Sequence, residues 1–64
     1  MSDKFLTPSE LADRWNLSTT TLYYWRKQKK GPKYIQLEGA RGMILYPLKY
    51  ILEYEEQNTF GTAG

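Results

Sequence analysis

The sequence contains no histidine and no cysteine among its 64 residues. The first absence removes the side chain that most often acts as a general base near neutral pH. The second removes thiol nucleophiles and disulfides, and together they leave no nitrogen or sulfur side chain of the kind that holds zinc. We therefore expect no catalytic residue, no metal site, no cofactor and no small-molecule ligand, and an enzyme is the least favoured class.

Long apolar runs are also missing. With tyrosine left aside, the longest covers residues 43–45, whereas a membrane-spanning helix needs about 20 residues. The first four residues do not form a basic region followed by an apolar stretch, so they do not predict a signal peptide. We expect a cytoplasmic protein with no membrane partner.

Charge of one sign is concentrated in the middle of the chain. The net charge of +2 combines −1 in residues 1–25, +5 in residues 26–41 and −2 in residues 42–64. The cations of the middle segment are Arg26, Lys27, Lys29, Lys30, Lys33 and Arg41. A basic patch of this kind is typical of proteins that bind a phosphate backbone, although short basic runs also occur as solvated loops.

The first helix is predicted from its start signal. Thr7, Pro8 and Glu10 have the spacing of a capping box with proline at the first helical position, and the helix is expected to end near Trp15. Asn16 suits a left-handed turn, and Leu17 is placed to point back into the core.

A second helix is predicted over residues 19–28, with Ser18 as its N-cap and Leu22 and Trp25 as its core anchors. Two helices joined by so short a turn form a helix-turn-helix, whose second helix enters the DNA major groove. At 100° per residue, the face opposite the anchors carries hydroxyls, phenols and cations that suit bases and phosphates. Its members are Thr20, Tyr23, Tyr24 and Lys27, flanked by Thr19 and Arg26. Either tyrosine alternatively covers the small core.

Two β-prone runs follow, at residues 34–37 and 43–46, separated by a connector with two glycines. This pattern predicts a two-stranded hairpin, which next to a helix-turn-helix forms a wing. Arg41 at the tip is placed to reach the minor groove or its bordering phosphates, unless it only solubilises the turn.

A third helix is predicted to begin after Pro47 and to run over residues 48–57. Its expected core stripe is Leu48, Ile51 and Leu52 with Tyr54 or Glu55, and its expected outer side carries Glu53, Glu55 and Glu56. Residues 1–57 would then form one domain and residues 58–64 a disordered tail, in which only Phe60 is suited to docking.

The run of residues 6–18, LTPSELADRWNLS, followed by TLYYWR at 21–26 and by Gly31 and Pro32, resembles the winged helix-turn-helix domains of the excisionase and AlpA-like families. It is more distantly similar to MerR-type regulators. The resemblance implies a small α+β fold of helix-turn-helix, hairpin wing and C-terminal helix. It also implies that Ser18, Thr19 and Thr20 begin the recognition helix, that Tyr23, Tyr24, Arg26 and Lys27 lie near DNA, and that Arg41 belongs to the wing.

Family members of this kind are commonly phage or mobile-element proteins, so the resemblance implies a location in the cytoplasm of a bacterial host cell, free or associated with the nucleoid. They act as recombination directionality factors or as small transcriptional regulators. Trp15 and Asn16 depart from the usual first turn, and the wing is less basic than in most relatives, which weakens the expected wing contact. The resemblance implies double-stranded DNA as partner, with a site-specific recombinase or further copies of the chain as additional partners. The alternatives are a protein-interaction adaptor in a phage packaging or recombination complex and, less favoured, an RNA-binding protein.

Overall fold

The computed structural model describes residues 4–40 and 42–61. Within that part of the chain the elements are, in order, β1 (Phe5–Leu6), α1 (Pro8–Trp15), α2 (Thr19–Lys27), β2 (Ile35–Leu37), a short 3-10 turn (Glu38–Ala40), β3 (Met43–Pro47) and α3 (Leu48–Gln57). The strands form an antiparallel sheet in the order β1-β3-β2. The predicted fold, a small α+β helix-turn-helix with a hairpin wing and a C-terminal helix, is confirmed.

The start of α1 and the turn after it follow the predicted local signals. The Thr7 hydroxyl accepts from the Glu10 backbone N–H at 3.2 Å, and the Glu10 carboxylate accepts from the Thr7 N–H at 2.9 Å. Asn16 adopts the left-handed conformation at φ 56° and ends the helix. The Ser18 hydroxyl then accepts from the Thr21 N–H at 3.1 Å and starts α2. These caps satisfy backbone donors that the helix itself leaves unpaired.

The sheet has one strand more than the predicted hairpin. β1 pairs with the end of β3, with Phe5 opposite Pro47 and Leu6 opposite Tyr46. Two residues are too few to show the alternation that marks a strand in a sequence, so β1 carries no local signal. This pairing ties the start of the chain to the wing. The Leu48 N–H, at the start of α3, also donates to the Lys4 carbonyl at 2.8 Å.

The core lies between the helices and the inner face of the sheet. Its buried residues are Leu6, Leu11, Ala12, Leu22, Tyr46 and Ile51. The half-buried Trp15 and Trp25 pack against this cluster, and both contact the ring of Tyr54, at centroid distances of 5.4 and 6.2 Å. Such rings supply apolar area that a chain of this size would otherwise lack.

The prediction that Leu52 belongs to the core stripe of α3 is wrong. The buried side of the helix is centred on Ile51, and Leu52, at the edge of that side, is 48% exposed. Of the two alternatives for the end of the stripe, Tyr54 packs against Trp15 and Trp25. Glu55, which is also predicted on the outer acidic side, instead turns towards α1, where Arg14 and Trp15 offer three N–H donors.

The segment predicted as a disordered tail, residues 58–64, is described as far as Gly61. At its start, the Asn58 side chain donates to the Tyr54 carbonyl at 2.8 Å, and the Thr59 hydroxyl donates to the Glu55 carbonyl at 2.6 Å. These bonds cap carbonyls in the last turn of α3. Residues 62–64 lie outside the described residues.

Candidate nucleic-acid interface

The outward face of α2 carries the side chains that its helical spacing placed there. Thr20, Tyr23, Tyr24 and Lys27 are all exposed, as are Ser18 and Thr19 at the start of the helix. Leu22 is fully buried on the opposite side. The helix is therefore held by its core side and offers hydroxyls, phenols and a cation to a partner.

Tyr23 and Tyr24 both lie outside the core, with 47% and 55% of each residue exposed. Their rings meet edge to face at a centroid distance of 5.6 Å, and the Lys27 ammonium lies 5.4 Å from the Tyr23 centroid. Neither tyrosine therefore covers the core, which was the alternative interpretation of the sequence. The pair forms a small preorganised surface, because each ring restricts the other.

Arg26 is half-buried and differs in this from its neighbour Lys27. Its guanidinium donates to the Tyr46 hydroxyl at 2.8 Å, and it lies 5.9 Å from the ring centroids of both Tyr23 and Tyr34. Tyr46 belongs to β3 and is only 1% exposed. Arg26 therefore connects the recognition helix to the wing while part of it remains accessible.

Between α2 and the wing lies a cleft of about 310 Å³, which we call the helix-wing cleft. Its lining consists of Tyr23, Arg26, Lys27, Tyr34, Gln36, Gly42 and Ile44. These described residues include two cations and no carboxylate, so the local potential is positive. Gln36 adds an amide that can both donate and accept, which is the chemistry that reads adenine in the major groove.

Tyr34 and Gln36 were missed as site residues in the sequence. Gln36 lies in β2, directly opposite the half-buried Ile44 of β3, and Tyr34 stands two residues earlier, just before the strand. The available signal in the sequence was Gln36 itself, a polar amide within the apolar strand run of residues 34–37. Only the packing of α2 beside the sheet brings that residue next to Arg26.

The loop after α2 holds the remaining predicted cations. Lys29, which has φ +59°, and Lys30 are exposed beside Gly31 and Pro32. Lys33 lies in the same loop, with its ammonium 5.2 Å from the ring centroid of Tyr50 on α3. Arg41 lies outside the described residues. All three lysines line one concave surface with Arg26, and within it the Lys33 ammonium points towards α3.

The turn that carries these lysines is fixed by Gly31. Its φ is +84°, and a Cβ added there would lie 2.8 Å from Cε3 of Trp25. Only glycine combines this conformation with this close approach to a packed ring. Gly31 is therefore required by the packing of the loop against Trp25 of α2.

The described residues offer little to other kinds of site. They contain no cluster of acidic side chains that could hold a metal ion, and no helix among them is long and apolar enough to span a membrane. The one ion pair found among the described residues, Arg14 with Glu55, joins α1 to α3, and neither residue lines the helix-wing cleft. Hydrogen bonds from Arg14 and then Trp15 hold the pKa of Glu55 at about 2, below its ordinary value of 4.5.

A basic cleft between an exposed second helix and a hairpin defines a winged helix-turn-helix domain of the DNA-binding class. A family model described as a helix-turn-helix domain matches residues 5–59, and the chain belongs to this AlpA/excisionase-like family. The family supports sequence-specific DNA binding and is typically not enzymatic. No curated protein and no solved structure matched the chain. The more distant similarity to MerR-type regulators stays a prediction.

Proposed function

We propose that the protein binds specific double-stranded DNA through α2 in the major groove, with the wing alongside. The observation that carries this is the helix-wing cleft, where Arg26 and Lys27 stand beside an exposed helix face that bears Thr20 and Tyr24. Cations there neutralise phosphates, whereas hydroxyl groups reach base edges. Ser18 contributes less to base reading, because its hydroxyl already caps α2.

In this proposal the residues divide by role. Lys27, Lys29 and Lys30 contact phosphates. Thr20, Tyr23, Tyr24 and Gln36 face bases, and Arg26 fixes the angle between helix and wing. Arg41 at the hairpin tip and Thr19 at the start of α2 contact the flanking backbone. Lys33 reaches only phosphates beyond the helix-wing cleft, because it is turned towards α3.

The biological role that fits is that of a phage or mobile-element protein, either a recombination directionality factor or a small transcriptional regulator. One recognition helix of this size reads about 3–5 base pairs and buries about 600–1,000 Å². Useful specificity then requires a site-specific recombinase or further copies of the chain on neighbouring sites.

Footprinting on the element's own DNA separates the two roles. Protection within the attachment site supports the directionality factor, and protection within a promoter supports the regulator. Thr20→Val and Tyr24→Phe are expected to relax the sequence preference, since each removes a hydroxyl and little else, whereas Lys27→Ala lowers affinity equally for all sequences. Footprints of wild type that show no sequence preference contradict the proposal.

A second candidate is a protein-interaction adaptor in a phage packaging or recombination complex. The exposed Tyr23 and Tyr24 favour it, because tyrosines are frequent anchors of protein interfaces. Salt distinguishes the candidates. DNA binding through several phosphates weakens steeply with ionic strength, whereas a tyrosine-centred protein interface responds little.

A further inference from the structure

Helix α2 is poor in the side chains that read bases through paired hydrogen bonds. Its nine residues include no asparagine or glutamine, the amides that recognise adenine, and Gln28 follows only as its C-cap. Guanine is most often read by arginine, but the one arginine of α2, Arg26, donates to the Tyr46 hydroxyl at 2.8 Å. The ammonium of Lys27 lies 5.4 Å from the Tyr23 centroid. The outward face of α2 is therefore better suited to another kind of base contact.

Thr20 and Tyr24 form a stripe along this face, which we call the methyl-ring stripe. They stand four residues apart, so they lie one turn above each other on the helix. Both are exposed, and the exposed fraction of Tyr24 is 55%. Thr20 belongs to the first turn, the part of a recognition helix that contacts base edges. The stripe thus presents two apolar groups, a methyl and an aromatic ring, where bases are read.

The ring of Tyr24 is held by its neighbours. It meets the ring of Tyr23 edge to face, with an interplanar angle of 68°. The cations of Arg26 and Lys27 lie 5.9 and 5.4 Å from the Tyr23 centroid, and Arg26 is itself bonded to Tyr46 of the sheet. A ring that is already ordered loses little conformational entropy on binding, so it suits a specific contact.

The major groove offers one apolar group to such a stripe, the 5-methyl group of thymine. Cytosine carries a methyl at this position only when it is methylated at C5. Packing the methyl against a ring or another methyl removes apolar surface from water. A hydroxyl discriminates less between these bases, because it can either donate to the thymine oxygen or accept from the cytosine amine.

We propose that Thr20 and Tyr24 read 5-methyl groups in the major groove, so that the preferred duplex carries thymine opposite the methyl-ring stripe. The inference rests on the proposed binding of α2 in the major groove and names the feature of DNA that α2 recognises. 5-Methylcytosine presents the same methyl at the same place. Methylation of a cytosine opposite the stripe therefore strengthens binding, and the affinity of the protein reports the methylation state of its site.

Exchange of single methyl groups in the duplex tests the inference. Selection from random duplexes with the full chain yields the preferred sequence, and each thymine in it is then replaced singly by deoxyuridine, which removes only the methyl. We expect affinity to fall about fourfold at one or two positions, the effect of one buried apolar carbon. At the same positions, a pair of 5-methylcytosine with guanine is expected to bind about fourfold more tightly than unmethylated cytosine with guanine. Fluorescence anisotropy with labelled duplexes measures both differences.

Protein variants assign the effect to the methyl-ring stripe. Tyr24→Phe keeps the ring and Thr20→Val keeps a methyl, so both are expected to retain the difference between thymine and uracil. Tyr24→Ala and Thr20→Ser are expected to abolish it, each at its own position in the site. Thr20→Ser keeps the hydroxyl and removes only a methyl, so it provides the reading if Tyr24→Ala binds too weakly to be measured.

The outcomes separate this inference from the proposed function. If the selection gives a preferred sequence whose uracil duplexes all bind as tightly as the thymine duplex, the inference is overturned and sequence-specific binding stands. A methyl effect that persists unchanged in Tyr24→Ala and in Thr20→Ser also overturns it, because the effect would then come from the stiffness of the DNA. A selection without any preferred sequence contradicts the proposed function, and the inference falls with it.

Discussion

At the scale of single residues, the properties of a side chain here follow from what surrounds it. Arg26 and Lys27 are adjacent cations on the same helix, yet Arg26 donates to the buried Tyr46 hydroxyl while Lys27 is exposed. Arginine suits position 26 because its guanidinium can donate a hydrogen bond and still lie against aromatic rings. A count of cations in the sequence therefore combines two roles: Arg26 positions the helix against the sheet, and Lys27 supplies exposed charge.

Removing the acceptor of Arg26 tests the positioning role. Tyr46→Phe is expected to lower the free energy of unfolding by about 1 kcal/mol, since one hydrogen bond to a charged donor is lost and the ring is kept. Chemical denaturation measures it, with Tyr34→Phe as control, because the Tyr34 hydroxyl bonds to no described residue. In a double-mutant cycle with Arg26→Met, the two effects should be non-additive by a similar amount. Full additivity would show that the hydrogen bond contributes nothing.

Gly31 gives a second prediction at this scale. Gly31→Ala is expected to destabilise the fold by about 2 kcal/mol, because its φ of +84° is strained for alanine and the new Cβ meets the Trp25 ring at 2.8 Å. Gly39→Ala is the matched control, since a Cβ there meets nothing within 4 Å. Urea unfolding of both variants decides the matter. Equal stabilities would mean that the loop shifts freely away from Trp25.

At the scale of elements, α1 and α3 are joined by one polar contact beside the aromatic cluster. Arg14 donates to both oxygens of Glu55, at 2.6 and 3.0 Å, and the Trp15 indole donates to the same carboxylate at 2.5 Å. Bidentate geometry with an added neutral donor is stronger than an ordinary surface pair. The contact fixes α3 against α1 of the helix-turn-helix.

The pH dependence of stability should report this contact. The pKa of Glu55 is about 2 in the folded state against an ordinary value of 4.5, mainly because Arg14 and Trp15 hydrogen bond to the ionised form. The unfolded state then binds the proton more readily, so the contribution is complete above pH 4.5 and is lost as the pH falls towards 2. Thermal unfolding between pH 2 and pH 6 measures it. Glu55→Gln should flatten the curve in that range, whereas Glu56→Gln, at an exposed position on the same helix, should leave the slope attributable to Glu55 unchanged.

At the scale of the whole molecule, the separated charge blocks of the sequence become separate surfaces. Arg26 and Lys27 line the helix-wing cleft, and Lys29 and Lys30 follow in the loop after α2. A second groove beside β1 and the start of α3 gathers Lys4, Lys33 and Lys49, and the exposed carboxylates of α3 do not line the helix-wing cleft. Negative charge on α3 would repel a phosphate backbone, so DNA is expected to approach from the side of the helix-wing cleft. The net charge of +2 conceals this arrangement.

The salt dependence of DNA affinity tests that orientation. Lys27→Ala and Lys30→Ala are each expected to reduce the log–log salt slope by about 0.9, since each removes one neutralised phosphate. Lys49→Ala, which removes the same charge on another surface, should leave the slope unchanged. Fluorescence anisotropy with a labelled duplex at several salt concentrations provides the slopes. Equal losses in all three variants would mean that binding follows net charge and not the cleft.

Much of the fold was predictable because its signals are local. The capping box of Thr7 and Glu10, the left-handed Asn16, the Ser18 cap and the start of α3 after Pro47 all appear where residue spacing placed them. The exposed face of α2 followed from the 100° rotation per residue alone. Strand β1 was not predictable in this way, because two residues are too few to show an alternating pattern. The exposure of Leu52 was not predictable either, because a rotation of one residue decides whether a leucine at the edge of the apolar stripe is covered.

The sequence by itself determined the helix-turn-helix, the hairpin, the basic middle segment and the side chains on the outer face of α2, since all of these depend on neighbours along the chain. Only the tertiary structure decided how these parts are used. Packing set Arg26 against Tyr46, brought Gln36 to the helix-wing cleft, turned Lys33 towards Tyr50 and drew Glu55 to Arg14. Each is a contact between residues distant in the chain, whose distance is fixed by core packing and not by any local preference.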